Sequence, residues 1–505
     1  MTERSHVMGI DIGASSLKAT VIDAAGQVKG TGSAPVSTAT PHPGWTEQDP
    51  EDWYRAACAA APKALAEAGL TGDDVEAVSF SAGAHTPVLL DEGDRPLRPA
   101  ILWSDQRSIR ESRELREHYG AEILDIGFNQ ANPTWTLPQL HWLTRNEPDV
   151  VARTRRVMVA KDYLRFRLTG AWHTDRTEAV GTLLYDCRAD AWSERLAGMI
   201  GWSCATLPPV IQPTAEVGTV STQAAQDSGL SRRTRVICGT SDTSAEAYGA
   251  GAVQTGAGTV KLATAGTVSV IADSPTVHDT LINYPFAVPG RWYTIVGTNS
   301  CASAHKWLRD NVLGAGEGSF DRLDGLAGAV PAGSQGLLFH PYLNGERSPY
   351  WDPLLRADFL GLTMHHGQGH LVRALYEGIA YSLRDCLGAL REQGLDIQEA
   401  RIVGGGARSA LWRQIVCDVL KLPIALPAVT DASFGAALIA GVGSGLFQDE
   451  ETAAERCVQL AAQHQPDSAR AALYDEMFEL YRMAQGRLAE INHRLGALAA
   501  RGAAS

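Results

Sequence analysis

The residues best suited to chemistry lie in short segments rich in glycine and hydroxyl side chains. In Gly239-Thr240-Ser241-Asp242-Thr243 a carboxylate stands where a strand-like run gives way to a small-residue helical run. A carboxylate there either accepts the proton of an attacking hydroxyl or caps the helix, since Asp suits both tasks. Near the N-terminus the turn Gly13-Ala14-Ser15-Ser16 joins two strand-like runs, with Asp11 ahead of it and Lys18 behind. Such a turn is either an ordinary tight hairpin or a nest whose N–H groups and hydroxyls wrap phosphate. In the nest reading, Asp11 holds Mg²⁺ directly or through water, and Lys18 neutralises phosphate oxygens. Gly404-Gly405-Gly406-Ala407-Arg408-Ser409 falls between a strand pattern and a helix pattern. Its glycines let the backbone approach a base or phosphate and the helix start favours anions, but a plain strand-to-helix turn reads the same way.

Other chemistries lack their signatures. There is no G-x-x-x-x-G-K-[ST], so P-loop chemistry is excluded, and the triple glycine is not G-x-G-x-x-G. A G-x-S-x-G elbow and an H-E-x-x-H pair are both absent from the sequence. His365, His366 and His370 flank Gly367 and Gly369, which points to a solvated loop and not a metal centre. Trp103 stands apart from the other tryptophans, because Ser104-Asp105-Gln106-Arg107 follow it closely. The net charge of −13 argues against nucleic acid or a membrane surface as partner. Eight scattered cysteines without a C-x-x-C pair fit a reducing cytoplasm. No run of about 18 apolar residues predicts a membrane span, and the N-terminus lacks the pattern of a signal peptide.

These segments need elements to hold them. Val7 to Ile12 and Ala19 to Ile22 read as the two strands of a hairpin. Pro50 to Ala68 has helical spacing, with Trp53, Ala57, Ala60 and Leu65 on one face. Val75 to Ser81 and Thr86 to Leu90 read as strands again. Thr259 to Leu262, the turn Ala263-Thr264-Ala265-Gly266, and Thr267 to Ile271 repeat the opening hairpin, with Ala263 falling 250 residues after Gly13 (263 − 13). A repeat at half the 505-residue length suggests two copies of one α/β domain, although two Gly/Ser hairpins also resemble one another by chance. Glu377 to Gln393 reads as a helix, Ala400 to Val403 as a strand, Ser409 to Leu420 as a helix, and Ala469 to Ala500 as a capping helix.

Taken together, the segments 8–23, 44–53, 98–107, 161–170, 239–243, 340–353 and 402–415 resemble the FGGY carbohydrate kinases, and within them the xylulokinases. The resemblance implies two ribonuclease-H-like (actin-like ATPase) α/β domains around a central cleft, residues 1–250 and 251–490, with a tail over 491–505. It implies an ATP-dependent kinase acting with Mg²⁺ on a small sugar or polyol, D-xylulose leading, with ribulose, gluconate or a tetrose or polyol as alternatives. Position by position, Asp242 matches the general base and Asp11 the Mg²⁺-associated aspartate. Gly13, Ser15, Ser16 and Lys18 match the first phosphate hairpin, Thr264 the second, and Gly405, Ser409 and Lys306 the adenosine side. Ala84, His85, Trp103, Asp105 and Thr243 fall on the sugar side. Ala84 and Thr243 stand where xylulokinases usually carry Met and Asn, and Gln139 and Ala263 replace a lysine and a glycine. An actin- or chaperone-like ATPase switch would share the hairpins but would not need the sugar-side cluster. A homodimer stays open.

Overall fold

The computed structural model describes residues 5–316 and 319–502. Its chain forms two compact units, one of Met1–Val253, Asp273–Tyr293 and Val429–Gln459, the other of Gln254–Ala272, Thr294–Ala428 and Leu460–Ser505. The first unit opens with β1 (His6–Ile12), β2 (Ser16–Asp23) and β3 (Val28–Pro35), then helix α1 (Pro50–Ala68) and β4 (Val75–Ala82). It continues through α2 (Ala160–Thr169), α3 (Arg176–Gly181), β5 (Glu216–Thr219), β6 (Arg235–Ile237), β7 (Thr240–Ser241) and α4 (Asp242–Gly249). Strands run in the order β5-β6-β4-β1-β2-β3, with β7 also pairing to β4. The pairs β1·β4, β4·β6 and β4·β7 are parallel, while the β1·β2 hairpin and β2·β3 are antiparallel.

Helix α1 follows its sequence closely. Asp49 caps it by accepting from Glu51 N at 3.0 Å, Pro50 occupies its first turn, and Gly69 ends it in the left-handed region. Its Trp53, Ala57, Ala60 and Leu65 are buried, as their spacing predicts. Trp53 Nε1 donates to Gln48 Oε1 at 2.7 Å, and Gln48 Nε2 donates to Ala14 O at 2.8 Å. The helix is thereby tied to the β1–β2 turn.

The later elements are β8 (Ala257–Leu262), β9 (Gly266–Ala272), β10 (Trp292–Thr298), α5 (Ala302–Trp307), α6 (Phe320–Gly328), α7 (Gln368–Glu392), β11 (Glu399–Val403), α8 (Ala410–Leu420), β12 (Ile424–Pro427), α9 (Ala432–Gly443), β13 (Leu460–His464) and α10 (Ser468–Gly502). The second unit's strands run β10-β9-β8-β11-β12-β13, with β8·β9 antiparallel, β8·β11 and β11·β12 parallel, and β12·β13 antiparallel. The order is the first unit's, β3-β2-β1-β4-β6-β5, and from β9 to β13 the sense matches that from β2 to β5, where β5·β6 is also antiparallel, so the repeated hairpin belongs to a repeated domain.

Two departures have physical causes. Helix α7 begins at Gln368, nine residues before Glu377, and takes His370 into its first turn, where Gly367 N donates to His370 Nδ1 at 3.1 Å. The His- and Gly-rich start masked a helix whose Val372, Leu375 and Ile379 are buried. The chain leaves the first unit at Val253, and 273–293 and 429–459 return to it. Helix α9 lies directly on β1: a Cβ on Gly9 would come within 1.9 Å of Ser433 O, and Thr20 Oγ1 and Ser433 Oγ are 2.7 Å apart. The expected tail is the end of α10, and residues 503–505 lie outside the described residues. Among the described residues, no helix is long and apolar enough to cross a membrane.

Gly9→Ala tests this packing. The added methyl has no room against α9 and is expected to cost about 2–3 kcal/mol in urea denaturation. A loss below about 0.5 kcal/mol would mean that α9 does not rest on β1.

Candidate active site

The parallel register of β1, β4 and β7 builds the first unit's site. Asp11 pairs with Ser81, Thr240 pairs with Ser81, and Ser241 with Ala82, so Asp11 and Asp242 emerge at the same end of neighbouring strands. Ser81 Oγ donates to Asp11 Oδ1 at 2.7 Å. Burial first, then the facing charge of Asp242, push the Asp11 carboxyl up to about 8, with Asp431 and Glu246 adding to the effect. Asp242 is the first residue of α4, one past its N-cap Ser241, and its Oδ1 accepts from Thr243 N at 2.6 Å and Thr243 Oγ1 at 3.2 Å. Gly239 makes the sharp entry possible: its φ is 81°, and a Cβ would lie 2.1 Å from Phe80 O.

The turn after β1 is pinned through its carbonyls. Gly13 N donates to Ser16 O at 3.0 Å, Val36 N to Ser15 O at 3.0 Å, and Thr38 Oγ1 to Ala14 O at 2.9 Å. The side chains of Ser15 and Ser16 are exposed. Lys18 is engaged by Asp431 at 2.5 Å, and Asp431 also caps α9 by accepting from Ser433 N at 2.9 Å. Asp431 was not foreseen, although Asp431-Ala432-Ser433 ahead of an apolar run is a legible helix start.

Ile12, Gly13, Gly83, Thr86 and Trp103 line one pocket. The exposed Trp103 indole leans on Gly83, where a Cβ would meet it at 2.6 Å. Ala84 and Thr243 are both half-buried. His85 is buried with a left-handed φ of 49°, a conformation a β-carbon residue adopts only when its surroundings enforce it. Here Glu178 Oε2 accepts from His85 N at 2.5 Å and Thr136 Oγ1 donates to His85 O at 2.6 Å. Burial lowers the imidazole to about 3, so the ring is neutral. It stacks on Trp135, with centroids 4.9 Å apart, and its Nε2 lies 3.3 Å from the Tyr284 hydroxyl. Trp135 and Tyr284 carry no local signal in the sequence, because only the tertiary fold brings them to His85.

Asp105 is placed differently from the expectation of a sugar contact. It is fully buried, with Oδ2 accepting from Thr46 N at 2.6 Å and Arg107 Nη2 at 2.8 Å, and Oδ1 from Arg107 N at 2.8 Å and Nε at 2.9 Å. Its oxygens are committed to the loop that carries Trp103.

The second unit gathers the remaining residues at the end of β8. Thr264 O accepts from Cys301 N at 3.0 Å and Ser303 Oγ at 2.7 Å, and Ala263 O accepts from Ala302 N at 2.8 Å, which seats α5 and its exposed Lys306 on the turn. Gly404 places the triple-glycine turn against the same strand end, since a Cβ there would be 2.7 Å from Leu262 O. Gly405 is exposed with open space beside it. Ser409 caps α8 by accepting from Trp412 N at 2.9 Å, and its hydroxyl donates to Asp324. His365, His366 and His370 form an exposed group around Gln335, and among the described residues no group of His, Cys, Asp and Glu is arranged to hold a metal by itself.

Two units of one strand order, each with a small-residue turn after its first strand, form a two-domain actin-like ATPase fold. The chain belongs to the FGGY family of carbohydrate kinases: the family's N-terminal domain matches residues 6–249 and its C-terminal domain residues 258–444. It is 33% identical to the xylulose kinase of Lactococcus lactis subsp. lactis, over 97% of this chain and 98% of that protein. The gluconokinase of Bacillus subtilis is 28% identical over 92% of this chain and 93% of that one. The crystal structure of xylulose kinase from Rhodospirillum rubrum superposes with a TM-score of 0.89 at 30% identity, covering 97% of this chain and 100% of that one.

The Asp11 environment sets a pH dependence. Its folded-state value near 8 lies above the ordinary 3.8, so the metal-free protein loses stability from this group as pH rises from about 4 through 8. Asp11→Asn removes that loss. In chelator, its Tm relative to the parent is expected to be about 3 °C higher at pH 8.5 than at pH 5.5. An equal difference at both pH values would contradict the burial of Asp11 beside Asp242.

Proposed function

We propose that this kinase transfers the γ-phosphoryl group of ATP, with Mg²⁺, to a hydroxyl of a ketopentose, D-xylulose first among them. The observation that carries the reading is the placement of Asp242 beside Asp11 at one strand end, next to the pinned Gly13 turn and the Trp103 pocket. Asp242 takes the proton of the attacking hydroxyl as it meets phosphorus. Its contacts to Thr243 hold the carboxylate in one orientation. Asp11 fits Mg²⁺ chemically, because an anion made costly by neighbouring carboxylates gains most from a cation. Asp11 would hold the ion, which would supply charge neutralisation on the transferring group.

On the nucleotide, Gly13, Ser15 and Ser16 offer N–H groups and hydroxyls, and Lys18 exchanges Asp431 for a phosphate oxygen. Thr264 serves the phosphates, while Gly405, Ser409 and Lys306 serve the adenosine end. On the sugar, Ala84, Thr243, neutral His85 and Trp103 form the contact surface, and Asp105 acts only through the loop that carries Trp103. D-xylulose leads because several relatives are named for it. A cytoplasmic setting belongs to the same proposal, supported by eight free thiols.

A coupled ADP-release assay across ketopentoses, aldoses, polyols and aldonates tests the substrate. D-xylulose is expected to give the highest kcat/KM, and a clear preference for gluconate would overturn it. Asp242→Asn is expected to lower kcat about 10²-fold or more with ATP affinity nearly intact. A normal kcat with only a lower Tm would make Asp242 a helix-start residue and no base.

Ala84→Met with Thr243→Asn tests the pocket. The pair enlarges one side chain and adds an amide, and is expected to raise the preference for D-xylulose over other sugars by about 10- to 200-fold, with KM for ATP unchanged. A weakened D-xylulose preference would show that the natural Ala84 and Thr243 already suit that sugar.

A further inference from the structure

Behind the Asp242 turn lies a buried ionic cluster that the chemistry above leaves unused. Lys161, Asp162 and Arg165, at the start of α2, are fully buried, as are Asp175 and Glu178 at α3. Lys161 Nζ lies 2.6 Å from Asp162 Oδ1 and 2.9 Å from Asp175 Oδ1, and Arg165 Nη1 donates to Asp162 Oδ1 at 2.8 Å. Each buried ion costs several kcal/mol of desolvation, and well-packed apolar residues usually serve stability as well or better. The cluster's contacts to the backbone therefore call for an explanation other than stability.

Those contacts converge on the two turns of the site. Thr240 Oγ1 donates to Asp175 Oδ2 at 3.0 Å, two residues before Asp242. Arg165 Nη1 donates to Cys238 O at 2.9 Å, on the other side of Gly239. Glu178 accepts from His85 N at 2.5 Å and so holds the strained residue of the sugar-side turn. Two cations balance two aspartates, and burial raises the fifth group, Glu178, well above the usual carboxylate range.

We infer that the Lys161–Asp162–Arg165–Asp175–Glu178 cluster is a positioning device that holds the turn bearing Asp242 and the turn bearing His85 in fixed register. Asp175 acts through Thr240, Arg165 through Cys238, and Glu178 through the His85 amide. None of the five touches the reacting atoms. The inference rests on the reading of Asp242 as the base.

The test is Thr240→Val, which removes one buried hydroxyl and keeps the side-chain shape, beside Thr240→Ser, which restores the hydroxyl, and Asp242→Asn as reference. Thr240→Val is expected to lower kcat at least about tenfold while both KM values stay within about threefold, since a displaced base weakens the chemical step more than binding. Thr240→Ser is expected to recover kcat to within about threefold of the parent. If Thr240→Val does not fold, Thr240→Ala replaces it with the same expectation. Unchanged kcat in the hydroxyl-free variant, with Asp242→Asn inactive, overturns the positioning role and leaves the base intact. A loss that Ser does not rescue assigns the effect to methyl packing and also overturns the role. Full activity of Asp242→Asn removes the base itself, and the inference with it.

Discussion

Everything in the first unit turns on two carboxylates brought to one edge by strand register. The pairing of β1 and β7 with β4 leaves no freedom to separate Asp11 from Asp242. Their proximity is unfavourable in the free protein, and together with burial, the larger cause, it raises the Asp11 carboxyl to about 8. Neighbouring structure resists the repulsion. Ser81 donates to Asp11, Thr243 donates to Asp242, and Gly239 allows the bend that nothing larger could make. A site that is strained without cation and phosphate is matched to a ligand bringing both.

The duplicated fold shows how one scaffold takes on separate tasks. Both units share strand order and a turn after the first strand, yet the turns differ in chemistry. Strand pairing sets Asp11 opposite Lys18 in the first hairpin and Lys261 opposite Thr267 in the second. The first hairpin pairs a carboxylate with an ammonium where the second pairs a lysine with a threonine hydroxyl. The second unit instead adds α5 and the triple-glycine turn at its strand end. The same strand order thus carries charged side chains at the turn of one copy and glycine-rich backbone at the strand end of the other.

Much of this is local and therefore legible in the sequence. The hairpins, α1 with its Asp49 and Gly69 caps, and the glycine turns depend on neighbouring residues, and their residue types announce them. The sugar-side wall was only half legible. Gly83-Ala84-His85 and Trp103 could be picked out, but Trp135, Thr136, Tyr284 and Glu178 reach His85 from 50 to 199 residues away, and no periodicity encodes such contacts. The family resemblance set Asp105 on the sugar side, whereas the Arg107 fork beside it holds the carboxylate. Segments 273–293 and 429–459 return to the first unit for reasons of packing, which a linear division into halves does not express.

Phosphoryl transfer to a sugar hydroxyl leaves a phosphomonoester that a simple ATPase does not produce. The most direct measurement is ³¹P NMR of the products formed from ATP, Mg²⁺ and D-xylulose. A sugar phosphomonoester resonance is expected to grow in step with ADP, with little inorganic phosphate, and no turnover is expected when the sugar is left out. ADP accompanied only by inorganic phosphate, at a rate indifferent to any sugar in the assay, would contradict that transfer.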